Sequence, residues 1–295
     1  MSPQSHELAG AYAWCERLAR SHYENFPVAS RLLPAAMRPH VAAIYAFARL
    51  ADDMADEGSR PDAARIDDLR RWGARLDRAV AGEPDDGPHR EVFVALRHSI
   101  EVCRLPATLF HDLLSAFAQD VSVKRYATWE ELLDYCRRSA NPVGRLVLRV
   151  AGRDDESIDR ASDAVCTALQ LTNFWQDLRI DWSRGRLYVP ASVWRGAGAT
   201  EGGLRADRLP QEWRQALRDA VEYTRRLFER GRAVCDAVPG RLRYELRATW
   251  LGGTRILDKL EASGFDPYAR RPALSWTDAP GILGRAIVWP QDSLG

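Results

Sequence analysis

Aspartates spaced four residues apart occur twice in the sequence, in two segments that otherwise have the hydrophobic pattern of buried helices. The first pair is Asp52 and Asp56, and the second is Asp177 and Asp181. Positions i and i+4 of an α-helix lie one turn apart on the same face, so each pair can bind a metal ion jointly. Mg²⁺ prefers one or two carboxylates together with water and phosphate oxygens. The two pairs therefore predict a Mg²⁺ site for a diphosphate, which would assist departure of pyrophosphate.

Each aspartate pair continues a polar stripe along its helix. The first stripe adds Tyr45 and Arg49, and the second adds Gln170 and Asn173, all at steps of three or four residues. Most other positions in both segments are apolar, and a helix that is apolar all round is normally buried. A solvated helix end explains the first stripe alone equally well. Two such stripes favour the metal site, because burying carboxylates without a partner is costly.

The elements that must carry these residues are predicted to be helices along the whole chain, since apolar residues recur at three- and four-residue spacing. We predict one all-α domain of about ten helices covering residues 1–295. A Gly-rich loop is expected at 183–208, and the tail from about 264 to 295 is expected to be mostly irregular. The predicted helices are an amphipathic one around 8–18, then 39–57, 62–81, 89–103, one opened by Pro106, and 129–150, 157–182, 210–237 and 240–262.

Composition excludes several classes of protein. The chain has 42 Lys and Arg against 41 Asp and Glu, and this balance argues against a nucleic-acid binder. The longest apolar run, from Val41 to Ala48, is far shorter than the ~20 residues of a membrane span. The N-terminus does not resemble a signal peptide. The five cysteines are widely spread without a C-x-x-C pair, which argues against disulfides or structural zinc. We expect a cytoplasmic protein.

The two motifs resemble the paired Asp-rich motifs of the squalene/phytoene synthase family. They run from Tyr45 to Asp56 (YAFARLADDMAD) and from Gln170 to Asp181 (QLTNFWQDLRID), and GRLYVP follows at 185–190. The resemblance extends along nearly the whole chain. It implies a single-domain isoprenoid-synthase fold, in which a helical bundle surrounds a central apolar channel.

The resemblance also implies roles for individual residues. The four aspartates would bind Mg²⁺ and diphosphate, and Tyr126 would lie near the reacting carbons. Glu24 and Asn25 complete the predicted catalytic set. The predicted substrate-binding residues are Tyr45, Arg49, Gln170, Asn173, Arg186, Tyr188 and His22.

Departures from the common family pattern narrow the expected reaction. Glu24 and Asn25 stand where condensing members usually carry hydroxyl or basic residues, and Gln176 stands where phytoene-type members usually carry Arg. These changes disfavour a second diphosphate and resemble the hydroxysqualene synthase branch of bacterial hopanoid biosynthesis. That branch implies ionisation of presqualene diphosphate, cation rearrangement and quenching by water, with Mg²⁺ and without NADPH. Glu24 or Asn25 would either position the quenching water or reshape the pocket.

Two other functions stay open. The first is a head-to-head prenyl transferase that makes presqualene diphosphate, squalene or phytoene. The second is a non-catalytic relative that acts in assembly or interaction. The expected small-molecule partner of the enzyme is a prenyl diphosphate, presqualene diphosphate, with pathway enzymes as further partners. Lipophilic substrates also suggest peripheral contact with a membrane, but the sequence shows no amphipathic basic helix that would mark the docking face.

Overall fold

The computed structural model describes residues 3–21, 32–56 and 60–289, with side chains from residue 5 onward. Described residues confirm the all-α prediction. Their helices are α1 (Pro3–Ser21), α2 (Arg38–Asp56), α3 (Asp62–Val80), α4 (Arg90–Cys103), α5 (Ala107–Ser122), α6 (Trp129–Ser139), α7 (Asn141–Val150), α8 (Glu156–Gln176), α9 (Leu178–Ser183), α10 (Ala191–Gly196), α11 (Gln211–Gly231), α12 (Gly240–Ala262) and α13 (Ala279–Val288).

The chain divides into two compact units. Unit 1 comprises Met1–Val123 and Pro142–Asp159, and unit 2 comprises Lys124–Asn141 and Arg160–Gly295. The expectation of one domain stays a prediction. None of the described helices combines the length and the apolar character that crossing a membrane would require.

An aromatic core in unit 1 holds α2 by its apolar face. The ring of Phe47 lies 5.8 Å from that of Trp72 and 5.4 Å from that of Phe110. Trp72 and Phe93 pack edge to face at 4.6 Å, and these rings are almost completely buried. Edge-to-face contacts add to the free energy gained by burial alone. This packing fixes α2, so that its polar stripe can occupy a defined place.

A hydrogen-bonded cluster in unit 1 joins α1, α2 and α4. The Tyr12 hydroxyl lies 2.8 Å from His98 Nδ1, 3.1 Å from His40 Nδ1 and 2.9 Å from Ser99 Oγ. Ser99 Oγ donates to the carbonyl oxygen of Ala95 at 2.9 Å. Burial raises the pKa of Tyr12 to about 12, and burial, followed by the charge of His98, lowers the pKa of His40.

In unit 2, α12 approaches α8 and α11 closely at Gly253. A Cβ atom at this position would lie 2.5 Å from the phenyl ring of Phe228 and 2.8 Å from the side chain of Leu169. On α8, the buried Trp175 indole donates to Thr224 Oγ1 of α11 at 2.8 Å. These contacts fix the helix that carries the second polar stripe.

The prediction of one continuous helix over 129–150 is wrong, because the structure has two helices, α6 and α7, with a break at Ala140. Pro142 lacks a backbone N–H and fits only the first turn of a helix, which explains the new start. The start of α6 has the predicted capping box with one change of partner, because the Glu131 carboxylate binds the residue before the N-cap. Thr128 Oγ1 accepts from the Glu131 backbone N–H at 3.4 Å, and the Glu131 carboxylate accepts from the Ala127 N–H at 2.6 Å.

The helix predicted over 157–182 is also divided, since α8 ends at Gln176 and α9 begins at Leu178. Asp177 between them has φ −101° and ψ 12°. Its backbone N–H still donates to the Asn173 carbonyl oxygen at 2.9 Å, and the Asp181 N–H donates to the Asp177 carbonyl oxygen at 2.9 Å. The two aspartates therefore keep their one-turn separation.

Short elements lie where loops were expected. The Gly-rich loop contains α10 and a 3-10 turn at Glu201–Arg205. The tail that was expected to be mostly irregular contains α13. The helix predicted over 240–262 is confirmed, whereas the one over 210–237 ends at Gly231 and continues as a 3-10 turn at Arg232–Cys235.

Candidate active site

The end of α2 gathers carboxylates around one arginine. Arg49 Nη2 lies 2.6 Å from Asp53 Oδ1, and Arg49 Nη1 lies 3.7 Å from Asp52 Oδ2. Desolvation, followed by the charge of Asp56, raises the pKa of Asp52 to about 6, and Arg49 opposes this shift. Asp120 of α5 is buried and adds to it. The carboxylates at this end of unit 1 therefore repel one another, and a cation would relieve the repulsion.

The donor atoms at this end of α2 suit Mg²⁺. Asp52 and Asp56 supply two carboxylates one turn apart, and Mg²⁺ commonly takes no more than that from a protein. Within the parts of the chain that the structure describes, no group of three or more His, Cys, Asp or Glu side chains is placed to hold a metal ion. Water and phosphate oxygens would have to complete the coordination of a metal held here.

Tyr45 lies one turn before Arg49 on the same stripe and is half-buried. Desolvation raises its pKa, whereas the charge of Arg49 lowers it. The phenol therefore stays neutral at physiological pH and can donate a hydrogen bond to a phosphate oxygen.

In unit 2, Asp177 is bound by an arginine that sequence reasoning missed. Arg271 contacts both carboxylate oxygens of Asp177, through Nε to Oδ1 and through Nη2 to Oδ2 at 3.2 Å. The neighbouring Gln176 donates from Nε2 to the Pro272 carbonyl oxygen at 2.5 Å. The junction between α8 and α9 is therefore tied to the segment that follows α12.

An isolated parallel β-bridge joins Arg125 to Leu187. The Leu187 N–H donates to the Lys124 carbonyl oxygen at 3.0 Å, and the Ala191 N–H donates to the Tyr126 carbonyl oxygen at 2.9 Å. This pairing places the segment 185–190 beside Tyr126, although more than fifty residues separate them along the chain.

Four buried aromatic side chains lie beside this bridge, namely Tyr126, Tyr135, Phe174 and Tyr188. Phe174 and Tyr188 stack face to face with centroids 3.7 Å apart, and Tyr126 lies 5.8 Å from Tyr188. Tyr135 lies 5.6 Å from Tyr126 and 6.0 Å from Tyr188. Phe174 precedes Asp177 by three residues on the helix. Aromatic faces attract cations, so this cluster can stabilise positive charge near Asp177.

The other predicted residues of unit 2 lie near the second aspartate pair along the chain. Gln170 is half-buried on α8, and Asn173 is exposed one turn before Asp177. The Arg186 backbone N–H donates to the Asp181 carbonyl oxygen at 2.8 Å, which fixes Arg186 just after α9. The structure thus places Gln170, Asn173, Asp177, Asp181 and Arg186 on α8, α9 and the turn after them.

Three predicted site residues, His22, Glu24 and Asn25, lie outside the described residues. Their roles stay predictions. The same holds for the expectation that the two aspartate pairs form one site, since the pairs belong to different units.

Sequence reasoning also missed Asp120, which influences Asp52. Asp120 follows the buried Ala116 by four residues, so a carboxylate on the apolar face of α5 was a usable signal. Arg271 gave no comparable signal, because 94 residues separate it from Asp177 and its neighbourhood has no helical stripe.

Comparison with known proteins gives concordant results. A squalene/phytoene synthase family model matches residues 19–278. The hydroxysqualene synthase of Zymomonas mobilis is 39% identical over 73% of this chain and 71% of its own length. The phytoene synthase of Thermus thermophilus is 32% identical over 92% of this chain and 91% of its own length. The crystal structure of squalene synthase HpnC from Alicyclobacillus acidocaldarius matches with a TM-score of 0.82 and 41% identity, over 88% of this chain and 96% of that one.

Proposed function

Because the chain belongs to the squalene/phytoene synthase family, we propose that it converts presqualene diphosphate and water to hydroxysqualene and pyrophosphate. Members of this family are enzymes of squalene- and phytoene-type prenyl transfer. The observation that carries the narrower proposal is the 39% identity to a hydroxysqualene synthase. We propose that the reaction depends on Mg²⁺ and requires no NADPH.

The proposed reaction balances without a reductant. The bond between the cyclopropylcarbinyl carbon and the diphosphate oxygen breaks, and its electron pair leaves with pyrophosphate. The carbocation rearranges, a water oxygen forms the new C–O bond, and that water loses one proton to solvent or a basic group. Mg²⁺ bound by the aspartates would supply electrostatic stabilisation of the leaving group.

The chain's own residues support particular roles. Asp52 and Asp56 would hold one part of the metal and diphosphate, and Asp177 and Asp181 another. Arg49 and Arg186 would bind phosphate oxygens, because guanidinium suits that geometry.

Tyr45, Gln170, Asn173, Tyr188 and His22 would orient the substrate. Tyr126, within the buried aromatic cluster, would lie close to the developing cation. A dry aromatic wall also protects a carbocation from early capture by water.

Gln176 supports a single diphosphate rather than two. Its side-chain amide donates to the Pro272 carbonyl oxygen, so it is held away from a free role and provides no positive charge for a second anion. We further propose that Glu24 or Asn25 positions the quenching water. Unchanged yields of hydroxysqualene from both Glu24→Ala and Asn25→Ala would contradict this role.

Isotopic labelling tests the reaction directly. The protein is incubated with Mg²⁺ and presqualene diphosphate in ¹⁸O-labelled water without NADPH, and the products are identified by mass spectrometry. We expect hydroxysqualene that carries one labelled oxygen. A labelled product requires water to be the nucleophile, so an unlabelled alcohol would refute the proposed quench.

A second incubation, with farnesyl diphosphate alone, separates the proposal from head-to-head prenyl transfer. The similarity to a phytoene synthase supports that alternative, so it needs a test of its own. Efficient formation of a C30 product from farnesyl diphosphate would overturn our choice.

Asp177→Asn tests whether the chain is an enzyme or an assembly protein. We expect the rate to fall about a hundredfold or more, whereas the exposed Asp219→Asn on α11 should retain full rate. Absence of turnover by the unmodified protein, with the biological role intact in Asp177→Asn, would favour the assembly function.

A further inference from the structure

Exposed apolar side chains are concentrated at the end of unit 2. Of the ten large hydrophobic side chains that are exposed among the described residues, five fall within 274–288. Three of them are nearly free of protein contact: Trp276 is 85% exposed, Val288 81% and Ile287 69%. We define the C-terminal apolar surface as Leu274, Trp276, Leu283, Ile287 and Val288.

The inner face of α13 is firmly anchored at its N-terminal end. The buried Asp278 carboxylate accepts from Arg255 Nε at 2.9 Å and from Lys259 Nζ at 2.6 Å, both on α12. It also accepts from the Ser275 N–H at 2.7 Å. The turn that carries Trp276 is therefore tied to α12.

The C-terminal end of α13 is anchored as well. Arg247 of α12 donates from Nη1 to the Ala286 carbonyl oxygen at 3.2 Å. The next residue after the helix, Trp289, is buried against Trp250 with centroids 5.5 Å apart, and its indole donates to Asp236 at 3.2 Å. Both ends are fixed, so the outer side chains form a defined surface.

The outer face of α13 lacks the polar residues that a solvated helix carries. Arg285 is the single charged residue among the ten of this helix. Leu283 and Ile287 are four residues apart and lie on one exposed face, which adjoins the buried Ala286. A helix that is apolar on all sides is normally covered, and α12 covers only one side of α13.

We propose that the C-terminal apolar surface docks onto an anionic lipid surface. Segments that lie in a membrane interface combine Trp and branched aliphatic side chains with Arg. Exposed Arg270 and Arg285 flank the apolar side chains, and the one acid between them, Asp278, is buried and neutralised by Arg255 and Lys259. The net positive fringe complements anionic head groups.

The size of the surface favours lipid over a second copy of the chain. A stable protein interface uses about 20–30 residues on each side, whereas five apolar side chains within fifteen residues suffice for shallow insertion.

Vesicle flotation tests the proposal with the full chain. We expect binding to vesicles of equal parts phosphatidylcholine and phosphatidylglycerol, and weaker binding to phosphatidylcholine alone. The double variant Trp276→Ser, Ile287→Ser should weaken partitioning about tenfold or more. The matched control is Val102→Ser, an exposed valine on α4 of unit 1, which should bind as the unmodified protein does.

Removal of positive charge and a measurement of self-association complete the test. The double variant Arg270→Gln, Arg285→Gln should reduce binding to the vesicles that contain phosphatidylglycerol and should leave binding to phosphatidylcholine vesicles unchanged. The mutated side chains are exposed, so circular dichroism and thermal unfolding should be unchanged, and Val288→Ser serves as an independent variant if the first is destabilised. Failure of the unmodified protein to bind either vesicle, or equal binding by the apolar variants, would overturn the proposal. Analytical ultracentrifugation tests for self-association. A dimer that the apolar variants abolish would show that the surface binds a second copy of the chain instead of lipid.

Discussion

Replacing Arg271 by Gln removes the guanidinium that contacts both oxygens of Asp177. The adjacent Arg270 is exposed, so Arg270→Gln is a matched control that makes the same chemical change one residue away. The two variants separate the effect of this ion pair from that of lost charge in the segment.

The size of the effect follows from the exposure of the pair. The Arg271 side chain is 47% exposed and the Asp177 side chain 17%, so solvent screens the interaction. Exposed pairs contribute about 0.2–1 kcal/mol, and a two-point contact belongs at the upper end. We therefore expect Arg271→Gln to lower the free energy of unfolding by about 1 kcal/mol without divalent cations. A compact unit of the size of unit 2 should then unfold at a temperature about 2–4 °C lower.

The same pair should compete with a metal ion. Arg271 occupies both carboxylate oxygens of Asp177, so the Mg²⁺ that we propose there would have to displace it. Removal of the guanidinium should then remove about 1 kcal/mol of competition. Since about 1.4 kcal/mol corresponds to a tenfold change in affinity, Arg271→Gln should bind Mg²⁺ about fivefold more tightly. Isothermal titration calorimetry measures this, and Arg270→Gln should match the unmodified protein. Unchanged or weaker Mg²⁺ binding by Arg271→Gln would show that the reasoning is wrong.

Three further predictions concern stability and pH. Gly253→Ala should destabilise unit 2 by about 1–3 kcal/mol through overpacking. Gly252→Ala on the same helix meets only a flexible side-chain end at 3.3 Å, so it should raise the free energy of unfolding by up to about 1 kcal/mol. Chemical denaturation measures both changes. Asp52→Asn should raise the free energy of unfolding by about 1 kcal/mol in Mg²⁺-free buffer at neutral pH, because it removes a carboxylate that is repelled by its neighbours but screened by solvent at 41% exposure. The same variant should lower activity about a hundredfold, whereas Asp53→Asn should not stabilise the protein. Because the pKa of His40 is lowered in the folded protein, the unfolded chain takes up the proton first, and stability should fall as the pH drops below about 6.5. Denaturation across this range should show a shallower fall for His40→Gln, and an identical slope would contradict the assignment.

Helical periodicity was enough to predict the polar stripes, because a stripe such as that of Asp52 and Asp56 depends only on residue spacing within one helix. The family resemblance supplied roles for these residues and is confirmed by the family match. Helix ends were less predictable. Periodicity continues through Ala140 and Asp177, whereas local backbone geometry and Pro142 decide where each helix stops.

Long-range contacts were beyond the reach of pattern reasoning. The pairing of Arg271 with Asp177 and the bridge at Arg125 depend on how distant segments fold against each other, and neither leaves a local period. The outer face of α13 was missed for a related reason. Gly and Pro in this helix resemble loop composition, and its contacts with α12 compensate for their low helix propensity.

The bridge between Arg125 and Leu187 has a consequence for building chimeras with relatives. Both partner segments contribute a tyrosine to the buried cluster, and the backbone register between them sets how Tyr126 and Tyr188 meet. A crossover point placed between these segments would join halves from two parents whose registers were never selected together. Recombination should therefore exchange 124–127 and 185–192 as one block, while breakpoints in the 3-10 turn at Glu201–Arg205 leave that block whole.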